Sequence, residues 1–233
     1  MEILAEFLGV ALLILLGGSV NANVSLEKTK GHGGGWLVIT LGWAVAVMVP
    51  VMMFERISGA HFNPAVTVGL AIVGDLEWVS VPAYMGAQLA GGVVGGLLVW
   101  LVFRQHFNIT KCKDTKLGVF STAPAIRSWA DNFFSEFVGS FVLVFAIIGA
   151  ITLAPENVGS IGIGSIVLVI GTGLGGTTGY AINPARDLGP RIAYAIAPIK
   201  DRRDPDWGYA WIPVIAPLVG GLAAGLIGKV IFL

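Results

Sequence analysis

The sequence predicts an all-α integral membrane protein with six transmembrane helices and two re-entrant half-helices, arranged as an inverted tandem repeat. Three observations carry this. Of 233 residues 55% are hydrophobic and 12% charged, with a mean hydropathy of +0.83. A soluble domain carries roughly 25% charged residues, so this chain lacks an adequate polar coat and is suited to lipid. Long apolar runs recur at close to the roughly 20 residues a helix needs to cross about 30 Å of hydrocarbon. Finally, Ser58-Gly59-Ala60-His61-Phe62-Asn63-Pro64-Ala65 aligns with Thr178-Gly179-Tyr180-Ala181-Ile182-Asn183-Pro184-Ala185 at an offset of 120.

The first run, Ile3 to Val20, has no basic leader and no small-residue cleavage site, and it carries Glu6, so it is read as a mature helix rather than a signal peptide. The second is Trp36 to Phe54. Ile57 to Ile72 is too apolar for a loop and too short for a span, which predicts a re-entrant element. Val81 to Phe103 is the third span, and residues 104–132 read as a connecting loop. Phe133 to Leu153 and Gly159 to Gly176 follow, then a second re-entrant element, Thr178 to Tyr194, and a last span, Tyr209 to Phe232. The first and fourth spans also match, Ala5 to Gly9 against Ser135 to Gly139, so Glu6 repeats as Glu136. One domain, 1–233, thus divides into a first repeat, 1–103, and a second, 133–233.

Three spans per repeat is an odd number, so the second repeat is expected upside down relative to the first, and the two Asn-Pro-Ala elements enter from opposite faces. Pro64 and Pro184 suit the first turn of a helix, where a missing N–H costs nothing. A half-helix of about 10 residues rises about 15 Å, so the two N-termini are expected to meet near the midplane. Non-helical backbone at that depth survives only in protein or along a wet path. The backbone of Gly59, Ala60, His61 and Phe62, and of Gly179, Ala181 and Ile182 with Tyr180, therefore reads as a file of carbonyl acceptors. Asn63 and Asn183 would supply donors, and the helix N-termini positive partial charge that disfavours cations and protons.

Asn63-Pro64-Ala65 and Asn183-Pro184-Ala185 on an inverted three-span repeat resemble the aquaporin and glycerol-facilitator (major intrinsic protein) family over nearly the whole chain. Arg186-Asp187, Arg191 and Pro213 resemble its glycerol-conducting, aquaglyceroporin branch. The resemblance implies a constriction at Trp43, Gly171, Tyr180 and Arg186. Trp43 and Tyr180 would face a carbon backbone, Arg186 would donate to hydroxyls, and Gly171 would leave space. The typical glycerol facilitator has Phe where Tyr180 stands, so this corner is the more polar one. The resemblance also implies a homotetramer with a pore in each protomer.

Glu6 and Glu136 read as structural acceptors for the broken loop of their own repeat, with a proton relay as the alternative. Asp187 and Arg191, four apart, are expected to pair and shape the outer vestibule. The series Gly91, Gly92, Gly95, Gly96 and Gly220, Gly221, Ala224, Gly225, Gly228 reads as close helix contact. His32 and His106 have no metal spacing with Cys112, a lone cysteine admits no intrachain disulfide, and no nucleophile, nucleotide loop or cofactor cradle stands out. Neither an enzyme nor a cofactor or metal is therefore expected, and a net charge of 0 gives no reason for a nucleic-acid partner.

The expected function is passive, uncoupled permeation of glycerol and other small uncharged solutes, with water, excluding protons and ions. The alternatives are a pore mainly for water or another small neutral solute, such as an undissociated short hydroxy acid, and a secondary transporter. Twelve of the 14 Lys and Arg fall on one face, all but Arg56 and Lys229. By charge alone that face would be cytoplasmic. The resemblance implies the opposite, with both termini cytoplasmic.

Overall fold

The computed structural model describes residues 1–153 and 155–233, the side chains of 155–158 excepted. In chain order the helices are α1 (Glu2–Ser25), α2 (Gly35–Ser58), α3 (Pro64–Val73), α4 (Val81–Ile109), α5 (Lys113–Gly118), α6 (Trp129–Leu153), α7 (Pro155–Gly173), α8 (Pro184–Ile196) and α9 (Ile212–Phe232), with no strand among the described residues. Among the described residues, five stretches are long and apolar enough to cross a membrane: α1, α2, α4 with its preceding turn, α6 and α9. The remaining expected span, the fifth in chain order, is α7. Its backbone breaks at Gly159, φ 22° and ψ 173°, and only a shorter apolar helix, Gly159–Gly173, follows.

Several boundaries differ from the hydropathy reading, each for a physical reason. α4 runs on to Ile109 because Arg104, Gln105 and His106 end the apolar run without breaking the helix. Within the expected connecting loop, α5 forms a short helix and α6 begins at Trp129. α7 stops at Gly173, before Gly175 and Gly176, and a turn carries the chain to the second re-entrant segment. α9 begins at Ile212 because 207–211 are turns.

The two repeats interlock. Within each, the first span packs on the second and third, α1 on α2 and α4, α6 on α7 and α9; the half-helices cross over, α3 packing on α9 and α8 on α4. Glycine permits that crossing. A Cβ on Gly92 of α4 would stand 2.6 Å from the carbonyl oxygen of Ala185, and one on Gly221 of α9 would stand 2.3 Å from that of Ala65. Backbone therefore meets backbone, the close approach that membrane helices exploit for van der Waals contact. Leu37, Met52, Val102, Val169 and Val230 are exposed, as a lipid-facing surface requires. One apolar cluster fills the centre around Trp43, Phe62, Leu143 and Ile182, and another packs Phe107, Phe120, Tyr194 and Ile199 toward one end.

Candidate functional site

The two re-entrant segments share one backbone path. Positive φ occurs at Gly59 (77°), Ala60 (50°) and Phe62 (50°), and at the equivalent Gly179 (85°), Tyr180 (39°) and Ile182 (43°). Left-handed backbone costs a non-glycine residue roughly 1–2 kcal/mol, so something must hold it. A buried carboxylate does so in each repeat. Glu6 accepts from the backbone N–H of His61 (3.0 Å) and Phe62 (2.8 Å), and Glu136 from those of Ala181 (2.9 Å) and Ile182 (2.8 Å). Across a trans peptide the C=O points opposite to the N–H. Drawing these N–H groups to the glutamate turns the carbonyls of Ala60 and His61, and of Tyr180 and Ala181, away from it, toward the cavity those residues line.

Asn63 and Asn183 cap the half-helices. Asn63 Oδ1 accepts from Ala65 N (2.9 Å), and Asn183 Oδ1 from Ala185 N (3.0 Å) and Arg186 N (3.1 Å), satisfying first-turn donors. Their amides cross to the other repeat: Asn63 Nδ2 donates to Ile182 O and Asn183 Nδ2 to Phe62 O, both at 2.8 Å. This refines the expected acceptor file. The Phe62 and Ile182 carbonyls are taken by protein, and each amide keeps one N–H to offer.

Two cavities meet here. The inner one, about 260 Å³, is lined by Gly59 to Asn63, by Tyr180 to Asn183 and by apolar residues such as Leu70 and Leu143, with Glu55 and Asp75 also on its wall. The outer one, about 200 Å³, is lined by Trp36, Ser121, Thr122 and Gly179 among others. Trp43, Tyr180 and Arg186 line both, so they form the boundary. The Arg186 guanidinium lies 3.7 Å from the Trp43 ring centroid, a cation–π contact, and Trp43 Nε1 donates to Asn21 Oδ1 at 2.9 Å. Gly171 lines neither cavity. Tyr180 takes the space it leaves: a Cβ there would stand 2.9 Å from the tyrosine Cζ. Trp36 completes this socket, donating to Gly171 O at 3.1 Å and meeting the Tyr180 ring edge-on.

Asp187 and Arg191 are fully buried and paired, with Arg191 Nε donating to Asp187 Oδ1 at 2.8 Å. The other Asp187 oxygen accepts from Thr122 N and Oγ1, both at 2.7 Å, and Arg191 Nη2 donates to Thr122 O at 3.0 Å. Residues 120–122, inside the stretch that read as a connecting loop, are thus sewn to α8. Phe120 O accepts from Arg186 Nη1 at 3.5 Å. His61 lines the inner cavity, its Nδ1 3.2 Å from Thr67 Oγ1 and its ring beside Tyr84. Sequence reasoning missed Asn21, Trp36, Gln88, Ser121 and Thr122. Gln88 carried a usable signal, as an amide inside an apolar run. No group of His, Cys, Asp and Glu among the described residues could hold a metal.

Comparison with known proteins places this geometry. The family model described as Major intrinsic protein matches residues 1–228. The chain is 51% identical over 221 residues to the probable glycerol uptake facilitator protein of Thermotoga maritima, covering 94% of each chain. It is 48% identical over 233 residues to glycerol uptake facilitator protein 3 of Lactiplantibacillus plantarum, covering 99% of this chain and 97% of that one. Among solved structures, the aquaglyceroporin from Plasmodium falciparum superposes with a TM-score of 0.87 at 32% identity, covering 99% of this chain and 95% of that chain.

Proposed function

We propose a transport function from one premise: the chain belongs to the major intrinsic protein family. It is a multi-pass membrane protein and a channel, not an enzyme. In our reading it conducts glycerol and other small uncharged solutes passively, with water, and excludes ions and protons.

The observation that carries this reading is the pair of broken helices joined at Asn63 and Asn183, with free backbone carbonyls on the cavity side and the Trp43–Tyr180–Arg186 boundary beyond. A solute moves along carbonyl acceptors, meets one remaining amide N–H from each asparagine, and is screened where Arg186 donates opposite aromatic carbon. Cations meet two helix N-termini and a guanidinium, in the general manner of aquaporin-type pores. Glu6, Glu136, Asp187 and Arg191 serve as supports. A pore chiefly for water or another small neutral solute is the second reading, favoured by the Tyr180 hydroxyl in an otherwise aromatic wall.

The site belongs to a single channel domain in the cell membrane, assembled as a homotetramer, with both termini cytoplasmic. The charge bias of the other face runs against this orientation, but many of its cations hold loops rather than report topology. Lys116 donates to Lys200 O at 2.6 Å, Arg202 to Tyr194 O and Ala197 O at 2.7 Å each, and Arg127 and Arg203 pair with Asp206 and Asp114.

Light scattering on proteoliposomes tests the function. Glycerol efflux well above that of empty vesicles, without dependence on an ion gradient, is expected. Efflux no faster than empty vesicles would sink the reading, and saturable ion-coupled uptake would replace it with a secondary transporter.

A further inference from the structure

His61 lines the inner cavity as a buried imidazole, 6% exposed, and its two ring nitrogens meet different surroundings. Nδ1 lies 3.2 Å from Thr67 Oγ1. Nε2 has no hydrogen-bond partner among the described residues, yet it is not one of the unpaired atoms sealed from solvent. The neighbouring Tyr84 ring does not serve it, since that hydroxyl donates to Ser58 O at 3.1 Å. Nε2 therefore opens onto the cavity, on the side of Gly59, where a Cβ would stand 3.3 Å from it. Which nitrogen carries the proton decides what that wall offers.

Thr67 fixes the answer by a count of valences. Its hydroxyl has one hydrogen and two lone pairs, and three partners surround it. The Asn63 carbonyl oxygen, 3.0 Å away, only accepts, so it takes the hydrogen. Gln88 Nε2, 2.9 Å away, only donates, so it takes one lone pair. The Gln88 amide cannot be turned about: its other N–H goes to Glu6 Oε2 at 2.7 Å, and an oxygen in its place would face a carboxylate. Holding the amide this way leaves Gln88 Oε1 unpaired, which marks the orientation as one maintained at a cost. One lone pair of Thr67 remains for His61, so Nδ1 carries the ring proton and donates it.

We propose that Thr67 is a positioning residue that holds neutral His61 in its Nδ1–H form, so that the Nε2 lone pair stands on the inner cavity wall as an acceptor for a solute's O–H or N–H. It joins the carbonyls of Ala60 and His61 there. A solute enters with its donors paired to this wall, and its oxygen lone pairs stay free for the amide N–H groups of Asn63 and Asn183. The proton's position stands on geometry alone; its use by a solute rests on the channel reading above.

Nitrogen-15 NMR of histidine-labelled protein in detergent reads the proton directly, since N–H and lone-pair nitrogens of a neutral ring resonate far apart. His32 and His106 are the other histidines. Replacing both with Gln leaves His61 alone, and subtracting a His61→Gln spectrum from wild type gives the same signal if that double variant does not fold. At mildly alkaline pH, where histidine is neutral, the proton is expected on Nδ1, with magnetisation passing from water to Nε2. A proton on Nε2, or an Nε2 that water does not reach, overturns the proposal. In Thr67→Val the Nδ1 atom faces a methyl and the proton is expected to move to Nε2, whereas Thr67→Ser keeps the wild-type signal; a proton that stays on Nδ1 in Thr67→Val removes Thr67 from the role. In proteoliposomes an Nε2–H competes with the asparagines for solute lone pairs. Thr67→Val is expected to lower glycerol permeability about fivefold, the scale of one neutral hydrogen bond, and Thr67→Ser to restore it. A moved proton with unchanged permeability overturns the solute's part. Wild-type flux equal to that of empty vesicles overturns the channel reading and the solute's part with it, while the spectrum still decides where the proton sits.

Discussion

The two re-entrant segments have nearly the same backbone and quite different side chains. Both start from a glycine at positive φ, both are pinned by a buried glutamate, and each ends on an asparagine that caps its own half-helix and bonds to the other loop. At an offset of 120, however, Ala60 stands against Tyr180, Val66 against Arg186, Thr67 against Asp187 and Ala71 against Arg191. The first segment is held by neutral donors: Ser58 Oγ at 2.7 Å and Gln88 Nε2 at 2.7 Å on Glu6, with Thr67 Oγ1 accepting from Gln88 at 2.9 Å. The second is held by a buried ion pair and an outside strap, Thr122. The two segments thus share a backbone path, and four positions give its halves different side chains.

The sharpest way to break the comparison is at the unequal supports. Arg191→Ala leaves Asp187 buried without its cation and is expected to cost about 3–5 kcal/mol. Thr67→Ala, at the position equivalent to Asp187, loses neutral hydrogen bonds worth about 1 kcal/mol each. Thermal unfolding of the purified variants in detergent checks this, and equal losses would mean that the two loops are held alike.

The crossing glycines should behave alike instead. Gly92→Ala and Gly221→Ala each press a methyl against a backbone carbonyl, with an expected cost of about 1–3 kcal/mol in both halves by the same assay. A tolerated substitution on one side only would show that the interlock is lopsided. Arg186→Val installs the first repeat's residue in the second and tests the filter role proposed for Arg186. A loss of about tenfold in the ratio of glycerol to larger-polyol permeability, about 1.4 kcal/mol, is the expected result, and unchanged ratios would remove Arg186 from the filter.

The smallest effect lies outside the membrane. The Arg127 guanidinium bonded to Asp206 holds that carboxyl below the usual carboxylate range. A depressed folded pKa stabilises above the unfolded value, near 3.9, and the contribution is lost as pH falls through the folded value. Asp206→Asn should therefore cost under about 1 kcal/mol at neutral pH, with the difference from wild type vanishing only in strong acid. A variant as stable as wild type at pH 7 would make the pair incidental.

Much of the fold was legible because its signals are local. Run length gave the spans, proline at the first helical turn gave the half-helices, and the offset of 120 gave the repeat. Asn63, Asn183, Glu6 and Glu136 stood out as polar groups in apolar surroundings. What was not legible depends on contacts distant in sequence. The seating of α3 on α9 and of α8 on α4 is set by which glycine finds which carbonyl, and nothing in a glycine series says so. Thr122 and Ser121 sit in a short polar stretch that reads as an ordinary loop, and only the fold brings it to Asp187. The empty-looking space at Gly171 is filled by a ring nine residues on, a consequence of the left-handed backbone at Tyr180.

The crossed asparagine bonds also bear on how the chain is made. Until the second repeat emerges from the ribosome, the Asn63 amide has no Ile182 carbonyl to bond and the Phe62 carbonyl has no Asn183 amide. An exposed polar backbone has no stable place in hydrocarbon. The first broken segment must therefore wait at the membrane surface, or within the insertion machinery, and its final descent is coupled to the arrival of its counterpart. A half-length chain would be a poor ancestor unless two copies met in the bilayer, in opposite orientations, to complete each other.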